Sequence, residues 1–131
     1  MNLEIETTLH YSHDDVLDIL SDVFETGIIF WGVLDNTTSD WREARNELRI
    51  KTGQNPYICE IAEYVLDKGK SIHICDIEDE NEVYSFNKDD FENGIRLSVE
   101  NGHWDGDMDT IDSEVADIIV QYACMGEIVF G

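Results

Sequence analysis

The chain has 131 residues, the size of one domain, and its 42% hydrophobic and 10% aromatic content suffices for a packed core, which excludes the disordered class. Thirty Asp and Glu against eight Lys and Arg give a net charge of −22, a field that repels nucleic acid, anionic membranes and phosphorylated ligands and favours cations or basic protein surfaces. No run approaches the ~20 apolar residues of a membrane span, and three scattered cysteines, Cys59, Cys75 and Cys124, with no C-x-x-C, fit reduced thiols of a cytoplasm rather than a disulfide framework.

Residues 3–9 alternate apolar and polar side chains, which predicts a strand covered on one face. Ser12 precedes Asp15 by three positions in the manner of a capping box, and Val16, Leu17, Leu20, Val23 and Phe24 follow at helical spacing until Gly27, predicting an amphipathic helix of about three turns. Residues 28–34 are almost wholly apolar and read as a buried strand crossing the core. After a loop at 35–40, Trp41, Ala44 and Leu48 mark a short helix. The next helix is expected to carry Pro56 at its first position and the stripe Ile58, Ile61, Ala62, Val65 and Leu66 before Gly69. Residues 72–77 and 83–86 read as an antiparallel hairpin, after which Asn87 caps a helix with Phe91, Ile95, Ser98 and Val99 inward. An irregular Gly- and Asp-rich stretch leads to a last helix from Ser113 to Gly126, and the apolar tail 127–131 is expected to dock as a strand or buried tail. The architecture expected is a single α+β domain, 1–131, with a small antiparallel or mixed sheet packed by four to five helices.

Few residues point to catalysis. Cys59 and Cys75 have apolar or acidic neighbours, which raise a thiol pKa, and His73 beside Cys75 on one strand face is the one Cys–His pairing the pattern offers. The chain reads as a non-enzyme. Asp105, Asp107 and Asp109 resemble the opening of a calcium loop, but Thr110 stands where that loop needs Gly and Ala116 where it needs the bidentate Glu. The four histidines lack zinc-site spacing.

Two charged patterns carry more. Asp14, Asp18, Asp22 and Glu25 recur every three or four residues opposite the apolar stripe of the first helix, with no Lys or Arg interleaved. Such a row, roughly 5–6 Å apart, presents carboxylates at about the scale of a nucleic-acid backbone; it is either a solvated face that keeps the chain soluble or, with the turn residues Glu78, Asp79, Glu80 and Glu82 and the 105–109 loop, the contact with a basic partner surface. Conversely, Arg42, Arg45 and Arg49 share a helix face and, with Lys51, hold half of all the basic residues. They are a candidate anion clamp or a source of intramolecular ion pairs. The clamp reading makes the chain a module that sequesters a nucleotide-like signal near these arginines or an exposed Trp31 or Trp41, alone or across a homodimer.

Three segments together, the helix end and apolar run 25–31, the hairpin leading into residues 87–102, and the ending 115–131, resemble small acidic proteins encoded by phages and prophages of Gram-positive bacteria. In those proteins the first loop is shorter, so the basic stretch 42–51 is a departure. The resemblance implies a cytoplasmic protein of an infected or lysogenic bacterial host that inhibits a host defence, as anti-CRISPR proteins do, by binding a host protein rather than nucleic acid or membrane. Its motifs are packing motifs and bring no site residues with them.

Overall fold

Thr7 and Thr8 turn the chain back on itself, so the alternating N-terminal segment is two strands rather than one: β1 (Leu3–Glu6) pairs antiparallel with β2 (Leu9–Tyr11), placing Leu3 opposite Tyr11. A turn that short leaves the period of two almost intact, which is why the pattern reads as a single strand. The computed structural model describes all of residues 1–131. Its fold is α+β, with five α-helices and two small antiparallel sheets.

Ser12 and Asp15 form the expected reciprocal capping box at the start of α1 (His13–Asp22), which buries Val16, Ile19 and Leu20. The helix does not run regularly to Gly27. Residues Val23–Gly27 form a π-helical turn, closed by the Ile28 amide donating to the Val23 carbonyl. The apolar run that follows is a turn over residues 28–31, and only Gly32–Leu34 is a strand, β3. Ile28 and Trp31 enter the core while Ile29 and Phe30 face solvent, so the segment does not cross the core.

Thr38 caps α2 (Ser39–Thr52), longer than the short helix expected, with Trp41 and Ala44 buried. In α3 (Ile58–Asp67) the N-cap is Tyr57, and Pro56 lies outside the helix instead of opening it. Strands β4 (Ile72–Asp76) and β5 (Val83–Phe86) form the expected hairpin, and β3 adds to the free edge of β4, giving the order β3-β4-β5. Ile72, Ile74 and Phe86 point inward, and Val33, His73, Cys75 and Val83 lie on the other face.

Asn87 caps α4 (Lys88–Glu100) through a second capping box, and Asp112 caps α5 (Ser113–Met125). These two helices approach closely at Gly94, where a Cβ would sit 2.3 Å from the Ile119 carbonyl oxygen. Only a glycine permits that approach. Helix α5 is buried on nearly every side, against α4, α1, the π turn and β5. Its Gln121 is wholly buried, accepting from the Val129 and Phe130 amides and donating to the Phe130 carbonyl, which docks the tail without making it a strand. Phe130 then stacks on Trp31 at 4.8 Å, and the Trp31 indole donates to Asp117 at 2.6 Å. Burial foremost raises the Asp117 pKa, against the lowering effect of the hydrogen bonds it accepts from Trp31 and from the Gln121 amide. No helix is long and apolar enough to cross a membrane.

Candidate functional site

Asp14, Asp18 and Glu25 are exposed and Asp22 is half-covered, and none of the four lies within ion-pair distance of a cation. Asp15 is turned back into the capping box, so the row consists of the residues the helical spacing selected. Asp22 is held above the ordinary carboxylate range by burial first, then by Asp18, Glu25 and Asp112. Like charges and the helix C-terminal dipole both oppose Asp22 and Glu25 where they stand. The row is therefore locally unfavourable.

The 105–109 loop lies beside the start of this helix. Tyr11, whose hydroxyl donates to the Gly106 carbonyl, is pushed up to about 12 by burial first and then by Asp15, Asp105 and Asp107. The loop carboxylates are not gathered round a point in space. Asp105 accepts from the Thr110 hydroxyl and the Asp107 amide, and Asp107 accepts from the Asp109 amide. No group of three His, Cys, Asp or Glu side chains is placed to hold a metal ion, Asp105, Asp107 and Asp109 of the calcium-loop reading included. Glu78, Asp79, Glu80 and Glu82 form the exposed β4–β5 connection, shaped by Asp76, which accepts from the Glu78 and Asp79 amides. This turn neighbours Phe30 and the tail, and none of its acids is among the charges that act on Asp22 or Tyr11.

The charge is unevenly spread. Residues 39–70 contain six cations, Arg42, Arg45, Arg49, Lys51, Lys68 and Lys70, and six carboxylates, so the whole −22 belongs to the rest of the chain. On α2, Asp40, Glu43 and Glu47 recur at three and four residues, and Arg42, Arg45 and Arg49 do the same two positions later. At 100° per residue these stripes lie on opposite flanks of the helix. The acidic flank borders α3 with Tyr64 and Lys68. The arginines are exposed and make no ion pair or hydrogen bond, contrary to intramolecular pairing. Lys51 does not share their face. It donates to the Tyr64 hydroxyl at 3.2 Å, and that hydroxyl donates to Glu47. Arg49 alone of the set lines an open depression of about 880 Å³, with Asn46, Ile50, Gly53, Gln54 and Asn55. Trp31 and Trp41 are buried rather than exposed.

His73 and Cys75 do share the outer face of β4, and no hydrogen bond joins them. The Cys124 thiol is pushed up to about 12, and that of Cys59 is raised, each mainly by burial. A raised thiol pKa opposes nucleophilic use.

One feature escapes the sequence pattern. Between the end of α1 and the start of α3 lies an open, largely apolar groove of about 400 Å³ formed by Ser21, Phe24, Glu25, Tyr57, Ile58 and Cys59. In the structure Tyr57 takes the N-cap, where Ser, Thr, Asp or Asn is favoured. Neither the family models, the curated proteins nor the solved structures contain a match to this chain.

Proposed function

We propose that the chain is a non-enzymatic inhibitor of the phage type, working in the cytoplasm of an infected or lysogenic bacterium, that binds a basic surface of a host nucleic-acid-handling or defence protein, as anti-CRISPR proteins do. The observation that carries this reading is the unpaired carboxylate row Asp14, Asp18, Asp22 and Glu25, continued by the 105–109 loop, in a molecule whose entire net charge lies outside residues 39–70. A row retained against like-charge repulsion and the helix dipole costs stability, so it needs a use, and a cationic channel that normally receives phosphates supplies one. The Glu78–Glu82 turn contributes to the field but stands apart from the row.

The experiment is displacement. The immobilised chain is exposed to host lysate, retained proteins are eluted by salt, and each is assayed for loss of DNA or RNA binding when the free chain is added. The reading expects a salt-eluted nucleic-acid-binding protein whose substrate binding is blocked by the chain and not by Asp14→Asn/Asp18→Asn/Asp22→Asn. Equal inhibition by that variant would sink it.

A second reading rests on the unpaired Arg42, Arg45 and Arg49, of which Arg49 lines the depression at the end of α2: a module that sequesters a nucleotide-like molecule, alone or as a homodimer. Calorimetry with cyclic and linear nucleotides separates the two, since only this second reading expects Arg45→Ala and Arg49→Ala to abolish a measurable affinity.

A further inference from the structure

Tyr57 follows Asn55 and Pro56 directly and stands at the N-cap of α3, where its side chain accepts no bond from the helix. Only its backbone amide is engaged, donating to Glu60 at 2.8 Å. The ring is left 77% exposed and the next residue, Ile58, 51% exposed, although the chain has polar residues to spare. Across the groove stand Phe24 and Glu25, both in the π-helical turn that ends α1. Irregular turns of this kind recur at functional sites because they re-aim side chains out of the helical register. Three local departures, a cap that does not cap, an apolar first turn in water and a π turn, thus meet at one place, the end of the carboxylate row. Departures from local preference that converge mark function rather than folding.

The charge around the groove has one sign. Glu25 forms part of its wall, Asp22 lies one turn back and Asp18 two, and the charges that act on Cys59 in its lining are Glu60 and Glu25. An apolar pocket with an aromatic rim, bordered by carboxylates, has the composition of an interface centre, where Tyr and apolar anchors carry the binding and surrounding charges set orientation and encounter rate.

We propose that this groove is the anchoring site for a basic amphipathic segment of the partner protein: one apolar side chain enters between Phe24 and the Tyr57–Ile58 edge, and flanking lysines or arginines meet Asp18, Asp22 and Glu25. The proposal rests on the acidic-face reading and adds to it a short-range, salt-insensitive component. A second copy of this chain is a poor occupant, because two bodies of −22 repel.

The test titrates the full chain with two synthetic peptides of equal length and charge, an amphipathic Lys/Leu peptide and a Lys/Gly peptide, at low and high salt. Affinity is read by calorimetry and location by amide NMR shifts. The Lys/Leu peptide is expected to bind about tenfold more tightly, with shifts centred on residues 21–27 and 57–60. Tyr57→Ser and Ile58→Ser should each weaken it about tenfold while leaving the salt dependence intact. Asp18→Asn and Glu25→Gln should weaken both peptides and flatten the salt dependence. Tyr57→Ser supplies a better cap, so it should fold at least as stably as the parent and its loss of affinity is not loss of structure. Equal binding of the two peptides, shifts elsewhere, dimerisation of the free chain through this groove, or no effect of Tyr57→Ser would overturn the groove. If the acidic substitutions still weaken binding, the acidic-face reading survives that failure; if neither peptide binds at low salt, both fall.

Discussion

Helices α4 and α5 and helices α1 and α3 are two packed pairs in one molecule, built by opposite rules. In the first pair most local choices agree with the fold: Asn87 and Asp112 cap, Asp89 and Asp90 occupy the favourable first turn, and the buried Ser98 hydroxyl donates to the Gly94 carbonyl, while the exceptions, Gly94 and the buried Asp117, serve the packing against Ile119 and Trp31. In the second pair α1 begins well but ends in acids that oppose its dipole and in a π turn, and α3 starts on a tyrosine that does not cap it. Agreement of this kind makes a scaffold, and concentrated disagreement shows where a requirement other than stability has acted.

Substitutions can break that contrast. The largest effect is expected from Gly94→Ala: alanine is the better helix former, yet its Cβ has no room, and urea unfolding should show a loss of about 3 kcal/mol. A neutral result would mean the close approach is absent. Gln121→Ala strands the Val129 and Phe130 amides and should cost about 2 kcal/mol, with faster hydrogen exchange at those two amides. In the other pair the sign reverses. Tyr57→Ser should stabilise by about 1 kcal/mol through the new cap, read as a higher urea midpoint. Asp22→Asn should stabilise by about 0.5 kcal/mol at low ionic strength, by relieving the burial of a charge and its like-charge neighbours at three and four residues, and the like-charge part of the gain should vanish near 1 M salt.

The same residue sharpens the pH dependence. Asp22 and Asp117 sit above the ordinary value of 3.8, so the native state binds more protons than the unfolded chain between that value and their raised ones. Their contribution is least favourable at neutral pH and improves as pH falls through their folded pKa values. The half-buried Asp35 and the exposed Asp105, lowered chiefly by hydrogen bonds from Thr37 and Thr110, work the other way and lose their contribution on acidification. Thermal unfolding followed from neutral pH downward should show an initial gain that Asp22→Asn reduces.

What the sequence exposed and what it hid follow a physical line. Ser12 and Asn87 were legible as caps because a cap is made by residues three apart, and the α1 carboxylate row was legible because helical spacing alone defines it. The hairpin inside residues 3–11 was hidden by a turn too short to disturb the alternation, and the apolar run 28–34 misled because Ile29 and Phe30 are apolar yet solvent-facing. The separation of Lys51 from the arginines was available from angular arithmetic, since nine residues from Arg42 is not a whole number of turns. The groove was beyond reach, because it joins residues 21–25 to residues 57–59 through a helix contact that no local pattern records.

The uneven placement of charge makes the molecule an electric dipole as well as a polyanion. Near a cationic surface the arginine flank of α2 is repelled and the carboxylate row of α1 attracted, which biases orientation before any contact forms. A fluorophore on the arginine flank of α2 would ride on the trailing side of the complex, reporting capture without standing in its way.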